Sequence, residues 1–336
     1  MRIVVDAMGG DDAPEVVIQG LQAYLAQGTA DVILVGQEDK VKPLLENYPL
    51  PPDRVQFRHA SQVIDMDEHP AEAVKAKEDS SMVVGMNLLK SGEADAFMSA
   101  GNSGGVLAAA LFRLGRIPGI KRPALSTVFP TQKGFTFILD IGANTDCKPL
   151  YLQQFGIMGS IYAERVLGVP NPRVGIVSNG EEPGKGSMLV QEAFGLLKGS
   201  NLNFIGNVEG KDIPAGMADV VVTDGFTGNV IIKLAEGAAA LMLGIIGEEI
   251  RRRKVAALGA LLAKPAFRAV KHRLDYAEYG GAPLLGVDGV VIIAHGRSNA
   301  KAICNAIRVA ERAVNGKIVE QIKSGVAEQL GAGGEA

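Results

Sequence analysis

The stretch Asp95–Gly115, DAFMSAGNSGGVLAAALFRLG, decides the fold. An apolar run enters a small-residue turn at Gly101–Gly105 and leaves as an Ala-rich helical pattern. A strand that runs through a glycine turn into a helix is the building unit of a parallel α/β sheet. The helix start offers free N–H groups and a partial positive charge, which together suit an anion. No Walker lysine and no GxGxxG spacing accompany it, so the signatures of a nucleoside triphosphate or dinucleotide site are missing. The same glycines would also serve a tight turn that binds nothing.

Outward from this stretch the pattern repeats. Short apolar runs recur at RIVVDA, DVILVG, RVQFRHA, DAFMSA, FTFILDIGAN, RVGIVSNG, LNFIGNV, DVVVTDG and GVVIIAHG, with helical patterns between most of them. Runs apolar on both faces belong to strands covered by helices above and below. The sequence therefore predicts a three-layer α/β fold with a mostly parallel sheet. It is expected to form one large unit over residues 1–330, with a helical protrusion at about 236–278 and a disordered tail at 331–336.

Composition narrows the function. The chain has 336 residues, 47% apolar and 21% charged, enough for a large buried core. Its net charge of −3 gives no global attraction for nucleic acid. Only Cys147 and Cys304 are present, without CxxC spacing, so neither a disulfide framework nor a cysteine metal site is expected. The N-terminus lacks the basic start and long apolar core of a signal peptide. The longest apolar run, Gly237–Gly247, is too short to span a bilayer. A cytoplasmic protein is expected.

Several predicted strands end in small or polar loops: Asp6–Gly10, Ser99–Gly105, Asp140–Asn144, Ser178–Gly186, Thr223–Asn229 and Ala294–Asn299. Open α/β sheets bind ligands where such loops gather, so all six are expected at one sheet edge. In the first helix-start loop, Ser99, Gly101, Asn102, Ser103 and Gly104 are candidate phosphate ligands. Asn144 and Asp224 are candidate substrate-positioning groups. Lys185, between two glycines, is a candidate cation for an anion, or an ordinary exposed loop lysine. Asn229 is a candidate oxyanion donor, or part of a helix cap. His295 follows a strand and is a candidate proton donor, or a structural histidine. Asp6, Asp11 and Asp12 read as turn residues. No HExxH motif occurs, and no metal is expected.

Taken together, these motifs resemble one family, the PlsX-type phosphate acyltransferases of bacterial phospholipid synthesis. The resemblance rests on VDAMGGD (5–11), SAGNSGG (99–105), GRIPGIKRPAL (115–125), the GAN.D.KP pattern (142–149), Lys185-Gly186, NFIGNVE (203–209), VVVTDGFTGNV (220–230), YGGAPLLG (279–286) and AHG (294–296). It runs in order over nearly the whole chain. It implies a fold like those of isocitrate and isopropylmalate dehydrogenases and phosphotransacetylases, a homodimer and no organic cofactor. It implies that fatty acyl-[acyl carrier protein] and inorganic phosphate give acyl-phosphate, which a membrane glycerol-phosphate acyltransferase then consumes. Lys185 and Asn229 fall at positions associated with the family's active site. Asp12 stands where similar proteins often carry histidine, which removes any role for a histidine there.

One segment fits no strand pattern. Arg251–Arg273 holds eight Lys/Arg and no acid, mixed with Leu258, Leu261, Leu262 and Phe267, and Pro265 divides it. Two helices meeting at a tip are expected. The cations Arg251, Arg252, Arg253 and Lys254, with Leu258, Leu261 and Leu262, suit an anionic membrane surface or an acidic carrier protein. A solvated face or a dimer contact is the plainer alternative. Two other functions remain open: an NAD-dependent decarboxylating dehydrogenase on the related fold, and a non-catalytic membrane scaffold.

Overall fold

The computed structural model describes residues 1–332. The first part of the chain forms β1 (Arg2–Asp6), α1 (Glu15–Leu25), β2 (Asp31–Gly36), α2 (Glu38–Asn47), β3 (Val55–His59), α3 (Pro70–Ala76), α4 (Ser81–Lys90), β4 (Ala96–Ser99) and α5 (Ser103–Arg113). The middle forms β5 (Ala124–Thr131), β6 (Gly134–Leu139), α6 (Pro149–Arg165), β7 (Val174–Val177), α7 (Met188–Lys198), β8 (Phe204–Val208), α8 (Asp212–Ala215) and β9 (Val220–Val222). The last part forms α9 (Gly225–Arg252), α10 (Lys254–Leu262), α11 (Lys264–Leu274), α12 (Tyr276–Tyr279), β10 (Ala282–Leu285), β11 (Val290–Ile293), α13 (Ala300–Asn315) and α14 (Ile318–Ala332).

All strands join one sheet, in the order β3-β2-β1-β4-β11-β10-β5-β6-β9-β7-β8. Period-two alternation assigns each strand's faces. In β1, Ile3 and Val5 pack on α1 and α13 through Val17, Ile18, Leu21 and Ile303. Val4, between them, faces the α4 and α5 side with Phe97, Met86 and Val106. In β6, Phe137 and Leu139 pack with Phe155 and Tyr162 of α6, where the Phe137 and Tyr162 rings stack at 4.6 Å. Ile138 faces a thinner layer, with Val208, Ile213, Ala218 and Val221 beneath Ile231 and Ile232 of α9. The helix–sheet–helix layering is the predicted α/β class.

Two strands absent from the sequence reading, β5 and β10, change the sheet. β10 runs antiparallel to β11 and to β5, and β5 runs antiparallel to β6. Three reversals therefore separate β11 from β6. The block β3-β2-β1-β4-β11 points one way, and the block β6-β9-β7-β8 points the other. Contrary to expectation, the six loops do not leave one edge. Those after β1, β4 and β11 leave one edge, and those after β6, β7 and β9 leave the opposite edge.

The helical region is more divided than the sequence suggests. α9 runs 28 residues and is long and apolar enough to cross a membrane by length and composition. The expectation that no segment has this length counted only the uninterrupted apolar run, and the helix extends it on both sides. Its root is docked on the domain: a Cβ on Gly228 would lie 1.9 Å from the Asp140 carbonyl oxygen, so only glycine fits. The expected division falls at Ala263, just before Pro265, which lies in the first turn of α11, and a further break falls at Arg253, whose backbone is extended. Arg273, one of the arm's eight cations, donates to the carbonyls of Thr131 and Gln132 (3.0 Å to the latter) and ties the arm to the β5–β6 turn. At the C-terminus, residues 331 and 332 of the expected disordered tail are helical, and 333–336 lie outside the described residues.

Candidate active site

The loops after β1, β4 and β11 interlock. Asp6 is buried at the end of β1 and accepts from the Ser99 hydroxyl (2.7 Å) and the Met8 amide (3.0 Å). Ser99 Oγ in turn accepts from the Gly101 amide (3.0 Å). Burial pushes the Asp6 carboxyl above its ordinary range, against those hydrogen bonds. A Cβ on Gly9 would meet the Gly101 nitrogen at 2.6 Å, so the two loops touch through glycine. The Asp11 amide donates to the Gly296 carbonyl (2.8 Å), and the Ala294 amide to the Ser99 carbonyl (2.8 Å).

This network redistributes the predicted phosphate ligands. Ser99 and Gly101 hold the turn. Asn102 caps α5 by accepting from the Gly105 amide (3.0 Å). Its amide donates to the carbonyls of Asp65, Met66 and Glu68 at 3.1–3.2 Å, so both ends of the side chain have structural partners. Ser103, the first residue of α5, is exposed, and Gly104 beside it lies against Pro70. The open helix start therefore reduces to Ser103 and Gly104.

On the opposite edge Asp140 is the hub, a residue the sequence reading did not single out. Its fully buried carboxylate accepts from the amides of Leu125, Gly142, Ala143 and Asn144 and from the Asn144 side chain (2.8 Å). Burial raises its pKa against these bonds. Asn144 also donates to the Pro123 carbonyl (2.7 Å), so its side chain serves the loop. Asp224 caps α9, accepting from the Thr227 amide (2.9 Å) and hydroxyl (2.7 Å). Asn229, half-buried one turn on, donates to the Ile141 carbonyl (3.1 Å). An aspartate followed by small residues, as in DIGAN, was the available signal for the Asp140 hub. Cys147 lies in the same loop, but burial pushes its thiol up to about 12, which leaves it a poor nucleophile.

Residues from both edges line one cavity. A cavity of about 170 Å³ is lined by Ser103 and His295 from one block, by Ile141 from the other, and by Leu125 and Thr127 of β5 and Glu236 of α9. His295 Nδ1 accepts from the Arg297 amide (3.3 Å), so the neutral ring carries its proton on Nε2. Burial, then the Arg297 charge, hold His295 below the ordinary histidine range, so it is neutral at physiological pH. Glu236 is paired with Arg297 at 3.1 Å. Lys185 does not line this cavity. It is exposed, with its stem along Gly180. The structure thus brings Ser103 and His295 together, sets Asn229 behind Ile141, and leaves Lys185 on the neighbouring loop.

Known proteins similar to this chain identify its family and fold. The sequence family described as "Fatty acid synthesis protein" matches residues 1–321. A phosphate acyltransferase of Desulfitobacterium hafniense (strain DSM 10664 / DCB-2) is 52% identical over 324 residues, covering 96% of this chain and 97% of that one. One from Dictyoglomus turgidum is 51% identical over 328 residues, covering 97% and 98%. Among solved structures, a phosphotransacetylase from Streptococcus pyogenes aligns with a TM-score of 0.64 at 20% identity, covering 93% of this chain and 94% of that one. A 4-hydroxythreonine-4-phosphate dehydrogenase from Klebsiella pneumoniae aligns with a TM-score of 0.53 at 14% identity, covering 93% and 99%. These two distant matches speak for the fold alone. With half its residues shared with such relatives end to end, the chain belongs to the PlsX-type phosphate acyltransferase family.

Proposed function

We propose that the protein transfers a fatty acyl group from acyl-[acyl carrier protein] to inorganic phosphate, giving acyl-phosphate for phospholipid synthesis. One observation carries the reading: a single cavity collects Ser103, His295 and Ile141 from two oppositely directed strand blocks, in a chain about half identical to phosphate acyltransferases. The open amides of Ser103 and Gly104 and the Ser103 hydroxyl receive phosphate at the positive end of α5. Phosphate is the nucleophile, so no side chain has to form a covalent intermediate. Fixing it beside the thioester can lower the barrier by up to about 7–11 kcal/mol through effective molarity. The carbonyl oxygen becomes an oxyanion as the phosphorus-bound oxygen attacks. Asn229 has a second amide hydrogen beyond the one given to Ile141, and one such donor is worth about 3–4 kcal/mol. The intermediate collapses, the carbon–sulfur bond breaks, and the carrier thiolate leaves. His295, which lines the cavity, donates its Nε2–H to that sulfur. Lys185, exposed on the 179–187 loop, is the cation assigned to bound phosphate.

The exposed surfaces support the remaining partners. α9 presents Leu234, Leu241, Met242 and Ile245 at 52–69% exposure, an apolar stripe suited to the same helix of a second copy in a homodimer. At the tip, Val255, Leu258, Leu261 and Leu262 are 65–85% exposed beside Arg251, Arg252, Arg253 and Lys254. An apolar tip ringed by cations rests on an anionic membrane. This would hold a cytoplasmic enzyme at the surface where a membrane glycerol-phosphate acyltransferase takes its product; docking of the acidic carrier is the competing use of these cations. The dehydrogenase alternative keeps only the shared fold. The test is release of free carrier thiol from acyl-[acyl carrier protein]. It is expected only with phosphate present, and phosphate-independent release, as a hydrolase gives, removes the reading.

A further inference from the structure

The reacting cavity does not end at Glu236. A second cavity of about 210 Å³ adjoins it and shares Thr127, Val128, Ile232, Glu236 and Tyr279. The two form one groove between β5 and α9. Its near end carries the polar groups Ser103 and His295. Its far end is lined by Phe129, Pro130, Ala235, Ala239 and Leu274, all apolar.

Helix geometry explains the shape. Ile232, Ala235, Glu236 and Ala239 follow the i, i+3, i+4, i+7 spacing that lines one helix face. All four are half-buried, while Lys233, Leu234, Gly237 and Ala238 between them are exposed. Alanine at 235 and 239 leaves open, between α9 and β5, the volume a larger side chain would fill. The one charge on the stripe, Glu236, is drawn to Arg297 at 3.1 Å. The Tyr279 hydroxyl donates away to the Arg273 carbonyl at 3.1 Å, so its ring forms the wall. Leu274, at the far mouth, is 44% exposed, so the groove opens at the base of the arm.

A narrow apolar slot leading from a polar reaction point fits a linear alkyl chain. We infer that this groove binds the acyl chain of the thioester and of the acyl-phosphate product, and that Ala239 and Leu274 at its far end set chain-length preference. The inference rests on the acyl-transfer reading and names the site's substrate class more closely. Each methylene moved from water into such a slot is worth about fourfold in binding, from about 0.8 kcal/mol per CH₂.

The test compares palmitoyl and butyryl thioesters of the carrier in wild type, Ala239→Phe, Ala235→Phe and Leu274→Ala. Ala239→Phe blocks the far end, so kcat/KM for palmitoyl is expected to fall at least about tenfold, the loss of two or more buried methylenes. The butyryl value should stay within about twofold of wild type, which also shows that the variant is folded and active. Ala235→Phe, nearer the reaction point, should shorten the tolerated chain further. Leu274→Ala should narrow the difference between the two donors. Equal losses on both donors in Ala239→Phe and Ala235→Phe, or no loss in either, overturn the groove while acyl transfer stands. Absence of acyl-phosphate from wild type with either donor overturns the acyl-transfer reading and the groove with it.

Discussion

The loop cluster at the ends of β1, β4 and β11 and the helical arm α9–α11 are built on opposite terms. In the cluster, polar groups find partners within the protein: Asp6 with Ser99 at 2.7 Å, Ser99 with Gly101 at 3.0 Å, and Asn102 with four backbone groups. In the arm, all of α10 is exposed or half-buried, and its leucines face solvent. The difference assigns tasks. In the cluster, buried hydrogen bonds fix the loops that carry Ser103 and His295. Apolar surface left uncovered is surface intended for something outside the chain. The α9 root joins the two regimes, since it docks on Asp140 through glycine and then leaves the domain.

That contrast can be broken at its junction first. Gly228→Ala places a methyl 1.9 Å from the Asp140 carbonyl oxygen, and both partners are backbone. It should destabilise by about 1–3 kcal/mol or more and misplace Asn229 and Ile141. Turnover near wild type with an unchanged Tm would show that the α9 root is not fixed to the site. Next, Asn229→Ala and Lys185→Ala should each lower kcat at least about tenfold, or about 1.4 kcal/mol, in folded protein. Wild-type turnover in either variant would remove that residue from the chemistry.

His295 gives a smaller, pH-dependent effect. Its pKa lies below the ordinary 6.5. Acidification through that lowered value puts a proton on Nδ1, against the Arg297 N–H that it accepts. The unfolded chain takes up this proton at higher pH than the folded one. Stability and activity therefore fall together as pH drops from about 6.5 through the folded value. In kcat/KM against pH, His295→Asn should lose this acid limb and keep the one set by phosphate ionisation. An unchanged limb would assign the titration elsewhere.

The smallest effect on turnover should come from the arm. Changing Leu258, Leu261 and Leu262 to Glu should abolish flotation with anionic liposomes while kcat on soluble acyl carrier substrate stays within about twofold, because α10 lines no part of the reaction cavity. Unchanged flotation would exclude the tip as the anchor. Lost turnover with intact flotation would favour carrier docking instead.

How much of this was legible follows from where the signals lie. Long apolar runs such as RIVVD and DVILVG identify buried parallel strands because both their faces are covered. β5 and β10 escaped because Ser126, Thr127 and Pro130 interrupt one and Pro283 the other. Missing them had a large consequence: they reverse half the sheet, so the six loops were expected at one edge. Asn102, Asn144 and Asp224 were recognised as polar loop residues, but a side chain that binds a ligand and one that holds a turn read alike. Asp140 gains its role from amides that only folding gathers. The groove draws on β5, α9, α11 and α12, and no local pattern announces it.

The most direct test of acyl transfer to phosphate is capture of its product. With acyl-[acyl carrier protein], inorganic phosphate and hydroxylamine, the protein should yield acyl hydroxamate in step with free carrier thiol, and none above background without phosphate. Thiol release with no phosphate-dependent hydroxamate would contradict the account.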